Sequence, residues 1–369
     1  MEIDWKGITH SALAITDGKQ KSKIIALVTP MQVDEELLTS LVPSEDDGFP
    51  AVGRWFTGPG EGWLLAFKTS DPARRHVDAL AHSLEQAGIT GTLTGVKGYR
   101  PPRRLKRLCV GGRWQALFMY QPQPGRSGEP GWRGDPDLFG RIADHLVDWA
   151  AEDAGQLVLD FGEVPDLPYQ HEAGRKEIRE RAETEVSTFA KSYHQERSRV
   201  RHVQITSPTY VVMAQETARA EGFVDAGQLI DSMMSAPLDQ LSFAMLTDCD
   251  LYLTMASPSV HFNGKDYFHH PEIWDEYVLD PCGVQILTEK HLERAHNLDD
   301  WNTTRLNDRL FVVAAKDLAP WYDRQPMVFP REILHKFEAK ARADFGDMLF
   351  THATAQRLGI ETKPGRAEP

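Results

Sequence analysis

Residues Gly62–Val96, GWLLAFKTSDPARRHVDALAHSLEQAGITGTLTGV, carry the clearest secondary-structure pattern in the chain. The apolar run Trp63–Phe67 predicts a strand, and the threonine-rich run Ile89–Thr94 predicts a second one. Between them, Ser70–Pro72 offers a capping side chain followed by proline at the first helical position, and Gly88 is a typical helix stop. The predicted helix carries one apolar stripe at steps of three and four residues, namely Val77, Leu80, Ala81, Leu84 and Ala87.

The residues before this stretch complete a recognisable order of elements. Residues 23–28 and 52–56 read as strands, and residues 33–41 read as a helix with acidic residues in its first turn. From 23 to 96 the order is therefore strand, helix, strand, strand, helix, strand, which predicts a ferredoxin-like βαββαβ module. Such a module has an antiparallel sheet with both helices on one face, and we expect the other face to be open for a ligand or partner.

The rest of the chain predicts further mixed structure, so the expected fold class is α+β. Strands are expected at 115–120, 156–161, 199–205, 283–287 and 309–314, and helices at 137–151, 172–192, 208–222, 225–234 and 330–348. A strand is also expected at 8–15. We predict a ferredoxin-like module with a basic C-terminal segment at 1–120, a Pro/Gly-rich loop at 121–136, a larger mixed α+β domain at 137–360 and a disordered tail at 361–369.

Composition and charge restrict the function classes. The 369 residues carry 54 Asp and Glu against 41 Lys and Arg, a formal net charge of -13. This balance argues against a surface that follows a polyanion over its whole extent, and it favours simple solubility or a basic partner. The N-terminal residues lack the pattern of a secretory signal, and no apolar stretch reaches membrane-spanning length. Three scattered cysteines fit a reducing compartment, so we expect a cytoplasmic protein without membrane association.

One segment departs from the acidic average. Residues 97–113 are locally very basic and lie beside Tyr99 and Trp114. They could grip the phosphates of a nucleic acid. Alternatively, the segment is a solvated connector whose cations neutralise the acidic surface of this chain. The candidate nucleic-acid-binding residues are Arg100, Arg103, Arg104, Lys106, Arg107 and Arg113.

The other candidate site is a hairpin. Asn263–Gly264 is a strong two-residue turn signal, and the register it sets would bring His261 opposite Asp266. If the second strand continues, His270 joins the same face, with Glu272 close behind. A His–Asp pair with a second histidine could orient a general base or hold a metal ion. The alternative is an exposed hairpin face that happens to be polar.

Two function classes follow from these patterns. The first is a cytoplasmic protein-binding or regulatory protein, because no catalytic motif in the sequence is complete. The second is a nucleic-acid-binding or nucleic-acid-processing enzyme that combines the basic segment with the face formed by His261, Asp266 and His270. The sequence identifies no cofactor.

Overall fold

The fold is taken from a computed structural model. It describes residues 1–11, 13–16, 20–41, 52–56, 61–67, 74–97, 113–121, 136–152, 156–160, 167–168, 174–175, 178–179, 187–194, 199–206, 211–218, 226–248, 267, 270–279, 281–318, 321 and 339–360. The chain divides into two compact units. The first contains residues 1–101, 153–180 and 189–192, and the second contains 102–152, 181–188 and 193–369. The predicted domain boundaries at 120 and 137 stay a prediction.

The first unit contains a six-stranded sheet. Its elements are β1 (Glu2–Ile3), α1 (Trp5–Thr9), β2 (Leu13–Thr16), β3 (Gln20–Thr29), α2 (Glu35–Leu41), β4 (Val52–Phe56), β5 (Glu61–Phe67), α3 (Arg74–Gln86) and β6 (Thr92–Gly95). The strand order is β1-β6-β3-β5-β4, with β2 paired to β3. All pairs are antiparallel except β1 with β6.

The apolar stripe of α3 forms the centre of the core in this unit. Four of its five expected positions are buried, whereas Ala87 is exposed. Gly88 ends the helix with φ +75°, a conformation that glycine adopts at little cost. The core also takes side chains from α2 and from alternate positions of three strands, including Leu38, Ile25, Leu27, Trp63, Leu65 and Leu93.

The opposite face of this sheet is also covered. Ile24, Ala26 and Leu64 point away from the helices, because strand side chains alternate between faces. Their exposed fractions are 1%, 0% and 4%. The sheet face that we expected to be open is therefore buried at these positions.

The remaining elements follow in chain order. They are β7 (Arg113–Tyr120), α4 (Pro136–Ala151), β8 (Gln156–Asp160), β9 (Leu167–Pro168), β10 (Ser187–His194), β11 (Arg199–Thr206), β12 (Val211–Ala218), α5 (Ala226–Ser235), β13 (Leu241–Asp248), β14 (Val284–Thr288), α6 (Glu289–Arg294), β15 (Trp301–Arg305), β16 (Leu310–Ala315) and α7 (His352–Leu358). Short 3-10 turns lie at Pro271–Ile273 and Gly346–Met348.

The second unit is built on a run of strands in the order β15-β16-β14-β13-β7-β12-β11, and the pairs given by register are antiparallel. The strand β7 lies near the middle, and residues 116–120 are all buried. On α4, Leu138, Ile142, Leu146 and Trp149 are buried as well, at steps of three and four residues.

The α+β class is confirmed, and several element predictions were wrong. The predicted helix at 208–222 is replaced over 211–218 by β12, which pairs with both β11 and β7. Strand β10 covers the end of the predicted helix at 172–192, and the start of the predicted strand at 8–15 belongs to α1. The side chains of Val211 and Val212 are β-branched and therefore favour a strand. This preference outweighs the pattern that predicted a helix at 208–222.

Within the described part of the chain, none of the helices combines the length and the apolar character needed to cross a bilayer.

Candidate functional site

A pocket of about 250 Å³ opens at one end of β15 and β16 in the second unit. We refer to it as the Trp301 pocket. Its described lining combines two indole rings, three carboxylates and two ammonium groups, and it consists of Asp300, Trp301, Ala315, Lys316, Asp317, Trp321, Lys340, Ala341 and Asp344.

The local fold explains why these residues meet. The N–H of Trp301 donates to the C=O of Leu298 at 2.9 Å, so a turn leads directly into β15. Trp301 opposes Ala315 at the end of β16, which brings the start of one strand next to the exit of the other. The N–H of Lys316 donates to the C=O of Asp300 at 3.1 Å and fixes this end of the hairpin. Helical residues 339–345 supply the remaining wall.

Aromatic rings form the apolar part of the pocket. The ring centroids of Trp301 and Trp321 are 6.0 Å apart, with an interplanar angle of 53°. Behind them, the centroid of Phe345 lies 4.8 Å from that of Trp301. Trp301 is held by this packing at 7% exposure, whereas Trp321 is half-buried and lines the opening. The paired indoles therefore offer a preformed aromatic surface to a ligand.

Lys340 connects the carboxylates of the pocket. Its Nζ lies 3.0 Å from Oδ2 of Asp344 and also donates to Oδ2 of Asp300. Asp344 accepts a further hydrogen bond from Nε1 of Trp301 at 3.2 Å. Because Lys340 and Asp344 are four residues apart on a helix, they lie on the same side of it. This network fixes the orientation of the Trp301 ring.

The same network changes the acidity of its members. The hydrogen bonds from Lys340 to Asp300 and Asp344 raise the pKa of the Lys340 ammonium group. The hydrogen bond from Lys340 lowers the pKa of the Asp300 carboxyl group. Their side chains are 55% and 65% exposed, so water screens this ion pair and it contributes orientation more than stability. Both groups are charged at neutral pH.

The structure describes only part of the predicted His–Asp site. His270 Nδ1 lies 2.7 Å from Oε1 of Glu272, so these two candidates do meet. His270 precedes a 3-10 turn and is not part of a strand, so the continued strand that would align it with the hairpin is absent at that position. His261 and Asp266 lie outside the described residues.

The predicted basic segment also falls mostly outside the described residues. Arg100, Arg103, Arg104, Lys106 and Arg107 are not among them, and Arg113 is described only as the first residue of β7, where it opposes Thr217. Lys97 is exposed. The nucleic-acid interpretation therefore stays a prediction.

The His, Cys, Asp and Glu side chains are dispersed in the part of the chain that the structure describes. No three His, Cys, Asp or Glu side chains there are grouped closely enough to hold a metal ion. The Trp301 pocket is also smaller than the roughly 300–1,000 Å³ typical of small-molecule and cofactor pockets. Its size suits a single side chain or a small molecular fragment.

Comparisons with known proteins give no family. The chain matches no family model, no curated protein and no solved structure.

Sequence analysis missed the residues of this pocket. The Asp299–Trp301 run places two acidic residues directly before a tryptophan, and this is the one local signal that could have drawn attention to it. Trp321 and Lys340 are 20 and 39 residues further along the chain. Only the β15–β16 hairpin and the packing of the helical segment bring them together.

Proposed function

We propose that this protein is a cytoplasmic binding or regulatory protein that recruits another protein by holding one of its basic side chains in the Trp301 pocket. The observation that carries the proposal is the pairing of two indole rings with three aspartate carboxylates around an opening of side-chain size. Cations are attracted to the faces of tryptophan rings, and carboxylates beside the rings strengthen that preference.

The charges of the lining favour a cation over an anion. Three aspartates against two lysines leave a formal charge of one negative unit. Lys340 is engaged by Asp300 and Asp344, and Lys316 donates to the C=O of Asp299. Both ammonium groups therefore already have acceptors, whereas each carboxylate can accept more than one hydrogen bond. The net charge of -13 over the chain adds a long-range attraction for a basic partner.

We assign the first unit a structural role. We infer that residues 20–95 form a ferredoxin-like module. The strand order β6-β3-β5-β4 with antiparallel pairing supports this inference, as does the packing of both α2 and α3 against side chains of the same sheet face. The burial of the other face at Ile24 and Leu64 is the reason for assigning recognition to the Trp301 pocket rather than to the sheet.

The direct test is a titration with single-residue probes. N-acetyl-arginine methylamide is added at millimolar concentration while the indole N–H signals are followed by NMR. Those of Trp301 and Trp321 are assigned from Trp301→Phe and Trp321→Phe. We expect both assigned signals to shift in a saturable manner, because the guanidinium lies against the rings. The citrulline analogue has nearly the same shape without the charge, and it should cause little shift.

Variants of the network sharpen this test. Lys340→Met removes the competing ammonium group and exposes two carboxylates, so we expect affinity for the arginine probe to rise about three- to tenfold. Asp300→Asn should lower it. Lys290→Met is the matched control. Lys290 is also an exposed lysine, its Nζ lies 3.5 Å from Oε1 of Glu276, and neither residue lines the pocket.

Two outcomes would contradict the proposal. Equal shifts with arginine and citrulline probes would remove the charge preference. Tighter binding of an anionic probe such as N-acetyl-glutamate methylamide would reverse it. Strongly salt-dependent binding of RNA or DNA that is lost in a chain carrying Arg103→Ala and Arg104→Ala would favour the nucleic-acid alternative instead.

A further inference from the structure

The strand β15 lies at the end of its sheet, and its side chains are unusually accessible. Among the strands that the structure describes, it pairs with β16 alone. Trp301 is buried, but the other four side chains of the strand, Asn302, Thr303, Thr304 and Arg305, are all exposed. Since successive side chains point to opposite faces, neither face of the strand is covered beyond its first residue. The Trp301 pocket lies at the start of the same strand.

Hydrogen-bond alternation identifies which backbone groups face outward. The pairing with β16 runs from Trp301 to Arg305 without a register shift. Continued by one residue, this register places Asp300 opposite Lys316, and the N–H of Lys316 donates to the C=O of Asp300. Bonded and non-bonded pairs alternate in an antiparallel ladder, so the even-numbered residues of β15 bond to β16. The N–H and C=O groups of Thr303 and Arg305 therefore point to the free edge.

These outward groups remain available. No hydrogen bond joins the backbone of Thr303 or Arg305 to another described residue on the free side. The strand also lacks the usual protection of edges, because Trp301–Arg305 contains no proline, no lysine and no bulge. The guanidinium of Arg305 is turned back to the C=O of Asn307 at 2.9 Å. An added strand would meet no built-in obstacle among these residues.

We propose that an extended segment of a basic partner protein adds to β15 as a new edge strand and places an arginine or lysine in the Trp301 pocket. This proposal rests on the proposed function of the pocket and adds the mode of recognition. The outward N–H of Trp301 is already bonded to the C=O of Leu298, so the added strand pairs from Thr303 onward. A residue opposite Thr303 points to the same sheet face as Trp301, because side chains two positions apart on a strand share a face. A long basic side chain at that position can therefore reach back to the pocket.

The geometry also describes the rest of the recognised segment. Its backbone pairs with Thr303 and Arg305, and these contacts carry no sequence preference. Residues next to the exposed threonines are expected to be β-branched, because such side chains pack well across a pair of strands. The recognised motif is thus a basic residue within an otherwise β-forming stretch. The acidic chain favours such a partner over a second copy of itself, which carries the same net charge of -13.

Four peptides and one pair of variants test strand addition. The probe is an acetylated and amidated peptide with the sequence Thr-Val-Thr-Arg-Thr-Val-Thr. The second peptide has citrulline in place of arginine. The third and fourth carry N-methyl groups at alternate residues, one in each of the two possible phases, so only one of them loses the N–H groups needed for pairing. Binding is measured by isothermal titration calorimetry. We expect N-methylation in the pairing phase to weaken binding at least tenfold, and methylation in the other phase to have little effect.

On the protein, Thr303→Pro removes an outward N–H and Thr303→Ala keeps it. We expect at least a tenfold loss for the proline variant and less than a twofold change for the alanine variant. Circular dichroism and Tm report whether Thr303→Pro still folds. If Thr303→Pro does not fold, the methylated peptides still test strand addition on the unchanged protein.

The outcomes separate this proposal from the function on which it rests. If both methylated peptides bind as tightly as the parent while the single arginine probe still shifts the Trp301 signal, strand addition is wrong and the pocket assignment stands. If the parent peptide and its citrulline analogue bind equally and binding is weakened only by methylation in the pairing phase, strand addition stands and the cation preference fails. Concentration-dependent dimers that disappear in Arg305→Ala would mean that a second copy occupies the edge, and this would overturn the proposed partner.

Discussion

Among the histidines in the described part of the chain, His291 has the most strongly perturbed ionisation. Its ring is fully buried, and burial lowers its pKa to about 3, with nearby Arg294 and Lys290 acting in the same direction. The N–H of Thr288 donates to Nδ1 at 3.1 Å, so the ring is neutral with its proton on Nε2. His291 therefore supports the start of α6 and is not an acid-base group.

This assignment predicts a pH-dependent stability. Below the pKa of about 6.5 expected for an unfolded histidine, the unfolded chain binds a proton that the folded chain does not. The free energy of unfolding should then fall as pH decreases from 6.5 towards 3, by up to about 1.4 kcal/mol per pH unit for this group. Urea denaturation at pH 7, 6 and 5 measures the slope, and His291→Asn should reduce it. His296→Asn is the control because its ring is 57% exposed, and an unchanged slope in His291→Asn would refute the assignment.

Side chains of the candidate site were largely beyond prediction from sequence. The sequence does not distinguish a buried tryptophan from one that lines a pocket, because tertiary packing decides which position the side chain takes. Trp301 lies in the pocket because it is the first residue of the β15–β16 hairpin, whereas Lys340 lies on a helix 39 residues further along the chain. The hairpin with His261, Asp266 and His270 was predicted as a site because histidine and aspartate are reactive residue types. Residue type alone does not show which side chains lie close together in the fold. His270 and Glu272 are two residues apart, and their contact does not test the predicted site, because His261 and Asp266 lie outside the described residues.

Secondary-structure elements were predicted best where the local signals agree. The apolar stripe and Gly88 predicted helix α3, and continuous apolar runs predicted strands β3, β5 and β7. The predicted cap at Ser70–Pro72 lies outside the described residues. The interpretation of 208–222 failed because the segment Val211–Ala218 satisfies two patterns. Its alanines and glutamate allow a helix, but the segment pairs with two neighbouring strands. Pairing with these strands, together with the β-branched Val211 and Val212, outweighs the local helical pattern.

The contact between α1 and β6 yields a prediction for the first unit. A Cβ atom added at Gly95 would overlap the C=O oxygen of Gly7, a backbone atom that cannot rotate away. Gly95→Ala must therefore separate the helix from the strand, and we expect a loss of roughly 1–3 kcal/mol in unfolding free energy. Chemical denaturation followed by circular dichroism measures it.

The control for that variant is Gly88→Ala. Around Gly88 a new Cβ would meet nothing within 4 Å, and only its φ of +75° causes strain. We expect a cost of about 1 kcal/mol from the left-handed backbone alone. If the two variants were equally stable, the close approach between α1 and β6 would not be a constraint on the fold.

At the scale of the whole molecule, the acidic charge makes a prediction about kinetics. A chain with a net charge of -13 attracts a basic peptide from a distance before any pocket contact forms. Salt screens this attraction beyond about 10 Å at 0.1 M, whereas the buried contacts of the bound state are screened less. Raising NaCl from about 50 to 500 mM should therefore lower the association rate constant of the arginine peptide by roughly tenfold, with a much smaller change in its dissociation rate. Surface plasmon resonance or stopped-flow fluorescence resolves the two rates. The citrulline peptide should show a weaker salt dependence of association, and a salt effect confined to dissociation would place the important charges inside the pocket and not on the molecule at large.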